Sequence, residues 1–226
     1  SLRAHLVPEW AAVPLALVEH GHPPLLVLAY AGGVPLDQLI HSPMELGQFL
    51  RLAVGIARAL GGLHARNLIH KDVKPANVLV NAATSQVRLT GFGIASLLPR
   101  ERQGVKPPEL IAGTLPYMAP EQTGRMNRSV DSRSDLYALG VTLYEMLTGS
   151  LPFTAADPME WVHCHIARTA VPPHERCADV PPAVSAIVMK LLAKTPEERY
   201  QTAGGVEHDL RRCLAAWEGS GRVEAF

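Results

Sequence analysis

The distribution of apolar residues divides the chain into a strand-like beginning and a helical remainder. Residues 13–19 and 25–30 are short apolar runs separated by a turn sequence, His-Gly-His-Pro-Pro, which predicts two strands. Between residues 44 and 65, apolar side chains cover more than half of a helical surface, and so apolar a helix is normally buried. Ser42 followed by Pro43 is typical of a helix start, so we place the N-cap of this helix at Ser42.

The same pattern predicts the remaining elements. Residues 35–40 favour a short helix, and residues 97–110, with charges and three prolines in no period, favour a loop. Gly149 follows an apolar helix directly and predicts its C-terminal cap. The other brief strands are predicted at 68–69, 77–80 and 86–90, and the other helices at 135–148, 158–168, 182–194 and 203–217.

Composition is that of one globular domain without a strong charge preference. The chain has 226 residues, of which 47% are hydrophobic, and its 21 basic residues balance its 21 acidic ones. We therefore expect no nucleic acid and no membrane among its partners. No run reaches the length of a membrane span and no signal peptide is visible, so we expect a cytoplasmic setting.

The cysteines and histidines do not predict a metal site or a disulfide framework. Cys164, Cys177 and Cys213 are far apart in the sequence, which favours reduced thiols. His163 and His165 flank Cys164, but residues two apart do not share a helix face.

Several motifs carry the chemistry of the chain. Residues 70–77 read His-Lys-Asp-Val-Lys-Pro-Ala-Asn, and fourteen residues after Asn77 comes Gly91-Phe92-Gly93. Residues 113–121 read Gly-Thr-Leu-Pro-Tyr-Met-Ala-Pro-Glu, and residues 135–140 read Asp-Leu-Tyr-Ala-Leu-Gly. This ordered set resembles the protein kinase family, serine/threonine type, and the resemblance runs from about residue 13 to about residue 214.

The resemblance implies an α+β, protein-kinase-like fold, mostly the helical large lobe with two strands of the small lobe. Residues 1–33 would be a remnant of the small lobe and hinge, residues 34–216 the large lobe, and residues 217–226 a C-terminal linker or tail. The family's Gly-rich loop, strand lysine and helix glutamate find no match before residue 13, so the resemblance implies a truncated small lobe.

Four residues match the family's catalytic positions. Asp72 would orient the attacking hydroxyl and accept its proton, and Lys74 would offset the charge of the transferred phosphoryl group. Asn77 would bind Mg²⁺ through its amide oxygen. Thr114 would contact Asp72 and Lys74 and shape the site for a hydroxyl substrate.

The resemblance also implies ATP and Mg²⁺ as cofactors and a protein substrate or partner domain. Ala29, Tyr30 and Ala31 lie in the expected hinge that hydrogen-bonds adenine, and Leu79 is a fourth expected cofactor-binding residue. Outside the chemistry, Glu121 would form a buried ion pair with Arg199.

Gly91 is a departure from the family pattern. It occupies the position of the usual metal-binding aspartate, and glycine offers no ligand for the metal that bridges the ATP phosphates. Since each 1.36 kcal/mol is tenfold in rate, a loss of about 4 kcal/mol would slow the reaction roughly a thousandfold. Asp135, by contrast, matches a buried aspartate that would hold the catalytic loop near His70.

Two functions remain open from the sequence. One is a serine/threonine protein kinase domain that transfers the ATP γ-phosphoryl group to a protein hydroxyl, impaired in this chain. The alternative is a pseudokinase, a regulatory or binding module in a multidomain signalling protein. The Gly-Phe-Gly variant and residues 118–127 look similar to kinase-like domains at the front of large bacterial proteins with ATPase and sensor histidine kinase regions. A small-molecule phosphotransferase of related fold would lack the segment at 113–121.

Overall fold

The computed structural model describes residues 2–18, 25–29, 32–81, 83–97, 101–102 and 113–224. Eight of the nine described strands and one of the six described α-helices lie in the first half of the chain, and helices dominate the second. The strands are Pro14–Val18 (β1), Leu25–Leu28 (β2), Val34–Pro35 (β3), Leu68–Ile69 (β4), Val78–Asn81 (β5), Gln86–Leu89 (β6), Ser96–Leu97 (β7), Glu101–Arg102 (β8) and Ser129–Val130 (β9). The α-helices are Leu46–His64 (α1), Ser132–Thr148 (α2), Pro158–Ala167 (α3), Pro173–Arg176 (α4), Pro182–Leu191 (α5) and Ala203–Ser220 (α6).

The described strands form four small antiparallel sheets. β1 pairs with β2, β4 with β7 and β8 with β9, while β3, β5 and β6 make a three-stranded sheet. The predicted strands are confirmed within a residue or two at their ends. The prediction of a loop at 97–110 is wrong at residue 97, which belongs to β7, and at residues 101–102, which form β8. The other residues of this range lie outside the described ones.

Helix α1 is the centre of the core. It packs against α6, α2 and β6, and its apolar side chains, including Phe49, Leu50 and Leu60, are fully buried. By length and composition α1 could cross a membrane, but 67% of its most apolar window is buried inside the fold. That burial is what an all-round apolar helix needs in the core of a domain.

The start of α1 corrects one prediction. The N-cap is Glu45, not Ser42, and both Glu45 carboxylate oxygens accept hydrogen bonds, from the N–H groups of Gly47 and Gln48 at 2.8 Å each. Met44, predicted to be helical, donates its N–H to the carbonyl of Met146 instead. A carboxylate that satisfies two open N–H groups and faces the positive end of the helix dipole outweighs the serine signal.

Helix α2 lies beside α1 and is buried along nearly its whole length. It begins three residues before the predicted start, because the Asp131 side chain accepts a hydrogen bond from the N–H of Arg133. Gly149, in the left-handed conformation, ends it as predicted. The short helix predicted at 35–40 is a 3₁₀ turn, Leu36–Gln38.

Candidate active site

A buried carboxylate on α2 shapes the loop that follows β4. The Asp135 oxygens accept hydrogen bonds from the backbone N–H groups of His70, at 2.9 Å, and Lys71, at 2.8 Å. Lys71 lies in the left-handed region with φ of 67°, and its peptide N–H is fixed by this bond. His64, at the end of α1, contacts the same carboxylate at 2.8 Å. The expected role of Asp135 as the anchor of this loop is confirmed.

His70 links the loop to the Gly-Phe-Gly segment. Its Nε2 lies 2.8 Å from the carbonyl oxygen of Thr90, and its ring lies 5.0 Å from that of Phe92. Burial lowers the pKa of His70, although the charge of Asp135 and the Thr90 carbonyl oppose that change. Because the N–H of Asp72 faces Nδ1 at 3.3 Å, the neutral ring carries its proton on Nε2 and donates it to Thr90.

The structure brings the four expected catalytic residues together. Thr114 donates its hydroxyl to Oδ1 of Asp72 at 2.8 Å, and Lys74 Nζ lies 2.9 Å from Oδ2. Lys74 also donates to the Thr114 hydroxyl, so the side chains of Asp72, Lys74 and Thr114 form a closed ring of contacts in which each touches the other two. Asn77 donates from Nδ2 to the Asp72 carbonyl at 2.8 Å and to Oδ2 at 2.9 Å.

These contacts set the charge state of Asp72. Its partial burial opposes ionisation, but hydrogen bonds from Lys74, Thr114 and Asn77, with the Lys74 charge, lower its pKa below the ordinary value. Asp72 is therefore a carboxylate at neutral pH. Such a group can accept a hydrogen bond from a hydroxyl and then its proton.

The residues at this site do not fit a magnesium ion. Magnesium in phosphoryl-transfer sites is usually held through one or two carboxylates together with phosphate oxygens. Here Asp72 already binds Lys74, and Gly91 offers no side chain. Across the described ranges, no three His, Cys, Asp or Glu side chains are grouped to hold a metal.

The expected nucleotide-binding residues are only partly described. Tyr30 and Ala31 lie outside the described residues. Ala29 directly follows β2, and its N–H donates to the carbonyl of Val13 at 2.8 Å. Leu79 is half-buried in β5, between Pro35 of β3 and Arg88 of β6. Their role in binding adenine stays a prediction.

Glu121 and Arg199 form the expected buried ion pair. Two parallel hydrogen bonds join them, at 2.7 and 2.9 Å, and both side chains are fully buried. Ser134 donates its hydroxyl to Glu121, and Arg199 also donates to the carbonyls of Ala193 and Lys194. With a further bond to the carbonyl of Arg133, all five N–H groups of Arg199 donate hydrogen bonds, which is the condition for a buried pair to be stable. The pair fixes the end of the segment that carries Thr114.

Comparison with known proteins agrees with this arrangement. The family described as the protein kinase domain matches residues 16–210. The chain belongs to the protein kinase family. The kinase domain is 38% identical over 195 residues to the serine/threonine-protein kinase PknB of Mycolicibacterium smegmatis, covering 85% of this chain and 31% of that protein. It is 38% identical over 191 residues to PknB of Mycobacterium tuberculosis, covering 84% and 30%, and 35% identical over 199 residues to Pkn1 of Myxococcus xanthus, covering 85% and 28%.

The kinase domain spans about three tenths of the length of these curated relatives. The match shows a serine/threonine-type kinase domain, and the expected α+β kinase-like fold is confirmed.

Sequence reasoning missed two polar residues that hold the site. Gln122 is buried, donates to the carbonyl of Lys71 at 2.9 Å and accepts from the N–H of Ala119 at 3.1 Å. Gln122 therefore links the segment at 113–121 to the loop that carries Lys71 and Asp72. His64, the third hydrogen-bond partner of the Asp135 carboxylate beside the N–H groups of His70 and Lys71, was also missed. Gln122 directly follows the motif at 113–121, and His64 lies at the end of α1. These positions are the features of the sequence that could have indicated their roles.

Proposed function

We propose that this chain is a serine/threonine protein kinase domain in which transfer of the ATP γ-phosphoryl group to a protein hydroxyl is impaired. The observation that carries the proposal is the closed ring of contacts among Asp72, Lys74 and Thr114. An ionised carboxylate beside an ammonium group and a threonine hydroxyl suits the orientation of an attacking serine or threonine. The relatives named above are serine/threonine kinases, which supports a protein hydroxyl as the acceptor.

Each residue of the ring has one part in this proposal. Asp72 accepts the hydrogen bond of the incoming hydroxyl in place of Thr114. It takes the hydroxyl proton as the bond from that oxygen to the γ-phosphorus forms and the bond from the γ-phosphorus to the bridging oxygen of the departing ADP breaks. Lys74 stays within reach of Asp72 and offsets the negative charge of the phosphoryl group. Thr114 sets the position of the segment on which the substrate peptide would lie.

Impairment follows from Gly91. Where a kinase has the carboxylate that binds the metal, this domain has glycine, and no described neighbour supplies a replacement. If the missing stabilisation is about 4 kcal/mol, the transfer rate falls roughly a thousandfold.

Gly91 also favours a second candidate, a pseudokinase. Such a module would bind a protein partner, with or without nucleotide, inside a larger cytoplasmic signalling protein of bacterial type. The relatives, of which this domain spans about three tenths, support the idea that a kinase domain of this type works as one part of a longer chain.

Thermal unfolding with ATP alone, and with ATP plus Mg²⁺, tests the nucleotide site, because stabilisation follows occupancy. Transfer of labelled phosphate from ATP to a general protein substrate such as casein tests the chemistry. Asp72→Asn is the control, since it keeps the shape of the side chain and removes the proton acceptor. We expect slow transfer that Asp72→Asn abolishes without loss of nucleotide binding. Nucleotide binding without any transfer would support the pseudokinase, and neither binding nor transfer would contradict an ATP-dependent role.

A further inference from the structure

Gly91 is tightly packed against the Asn77 side chain. Its backbone is left-handed, with φ of 78° and ψ of 33°. A Cβ atom added there would lie 2.3 Å from Oδ1 of Asn77, 2.4 Å from Cγ and 2.6 Å from Nδ2. All three distances are below 3.0 Å, which real Cβ contacts essentially never reach.

The Asn77 amide is held where it is. Nδ2 makes two hydrogen bonds to Asp72, one of them to the ionised carboxylate. The Asn77 backbone is tied on both sides, because its N–H donates to Lys74 and its carbonyl accepts from Thr90, at 2.9 Å each. Moving the amide aside would break two hydrogen bonds to Asp72, one to its backbone carbonyl and one to its partly buried carboxylate, and bonds to charged groups are the stronger kind.

We propose that Asn77 is a positioning residue for Asp72 whose amide occupies the space of the missing metal-binding carboxylate, so that the metal position of this kinase domain is closed. If glycine merely replaced the metal-binding aspartate, an empty space would remain at position 91 and Asn77 would be free to bind a cation. Here Oδ1, the one metal-binding atom of the amide, lies closest to the position that a Cβ atom at residue 91 would take. The described carboxylate that Asn77 contacts, Asp72, is balanced by Lys74, so the site lacks the net negative charge that attracts a divalent ion.

The inference has a consequence for nucleotide binding, and this part rests on the proposed function. A nucleotide that binds this domain does so without Mg²⁺. Restoring the carboxylate by Gly91→Asp does not restore a metal site, because the new side chain collides with Asn77. The collision is relieved when the amide is removed, as in Asn77→Ala.

A double-mutant cycle on Gly91→Ala and Asn77→Ala tests the packing without any ligand. Left-handed strain at position 91 is the same in both backgrounds, so the cycle isolates the contact. We expect Gly91→Ala to lower Tm by about 4–8 °C in the original chain, as overpacking does, and by at most half of that beside Asn77→Ala. Gly93→Ala is the matched control, since a Cβ there meets nothing within 4 Å. Equal Tm losses in both backgrounds would overturn the proposal.

Thermal unfolding with MgCl₂ alone, ATP alone and both together tests the metal. The original chain and Gly91→Asp should show no Mg²⁺-dependent change in Tm, whereas Asn77→Ala with Gly91→Asp should gain one. A Mg²⁺-dependent rise for Gly91→Asp alone, without loss of stability, would show that Asn77 is a free ligand and would overturn the closed site. Failure of every variant to bind ATP would contradict the proposed function, and the ligand-free cycle would still decide the packing.

Discussion

At the scale of single residues, the Glu121–Arg199 pair contributes to stability through its burial. Arg199→Met removes one partner and leaves a buried carboxylate without its counter-ion, so we expect a loss of about 3–5 kcal/mol in the free energy of unfolding. Arg128→Met is the control, because Arg128 pairs with Glu197 on the surface, with side chains 40% and 53% exposed. There we expect less than about 1 kcal/mol. Urea unfolding measures both, and similar losses would contradict the assignment of the buried pair.

His165 predicts how stability depends on pH. It is buried against the rings of Tyr137 and Trp161, and its Nδ1 lies 3.0 Å from the Tyr137 hydroxyl. Burial, and next the charge of Lys194, lower its pKa from 6.5 to about 4, so the folded chain keeps it neutral. Between pH 6.5 and about 4 the unfolded chain binds the extra proton, so stability falls as the pH falls through this window.

The expected loss from His165 over that window is about 3 kcal/mol. His165→Asn keeps an acceptor for Tyr137 and removes the titration, so its stability should fall less between pH 6.5 and 4. Urea unfolding of both chains at several pH values gives the difference between their free energies of unfolding. The contribution of the carboxylates common to both chains cancels in this difference. Parallel curves would show that His165 does not titrate as described.

The candidate site shows where sequence reasoning stops at this scale. Asp72, Lys74 and Thr114 could be predicted to meet because each matches a motif of the family that the chain resembles, and the structure brings them together. The contact between Asn77 and Gly91 could not be predicted. It depends on how closely two loops approach, and a sequence shows that a side chain is missing but not what occupies its space.

At the scale of elements, the crossing of α2 and α5 depends on a glycine. A Cβ at Gly140 would lie 2.7 Å from the Cβ of Leu191. Gly140→Ala should therefore cost about 1–3 kcal/mol, although alanine favours a helix more than glycine does. Gly219→Ala in α6 is the matched control, since a Cβ there meets nothing within 4 Å, and we expect it to be neutral or to stabilise by up to about 1 kcal/mol. Chemical unfolding measures both, and a stabilised Gly140→Ala would refute the close contact.

Hydrophobic periodicity predicted the existence of the long helices but not their ends. The N-cap at Glu45 was missed because a serine, a proline and a glutamate all stood near the helix start, and only the backbone path decides which one caps. Helix α6 continues past the predicted end at Trp217 to Ser220, where Gly221 turns left-handed with φ of 67° and donates to the Trp217 carbonyl. Helix ends are set by such local hydrogen bonds, whereas the spacing of apolar residues indicates only which face of a helix is buried.

At the scale of the whole molecule, three thiols report on cooperative unfolding. Cys164 and Cys213 are fully buried, and burial raises the pKa of Cys213 to about 11, whereas Cys177 is half-buried. We expect one thiol of the native chain to react quickly with iodoacetamide and two to react only at the rate of unfolding. Mass spectrometry of the labelled chain identifies them. Cys177→Ser, as control, should leave no fast thiol, and three fast thiols would contradict a single cooperative core.

The packing of Asn77 on Gly91 bears on the evolutionary history of the chain. Because the amide lies against the glycine, a single substitution of Gly91 by aspartate meets a collision instead of an open position. A metal-binding carboxylate at this position then requires two substitutions, one at Gly91 and one at Asn77. The first made at Gly91 lowers stability, and the first made at Asn77 removes the hydrogen bonds that support Asp72. Selection for stability therefore disfavours each single step towards a metal-binding carboxylate at this position.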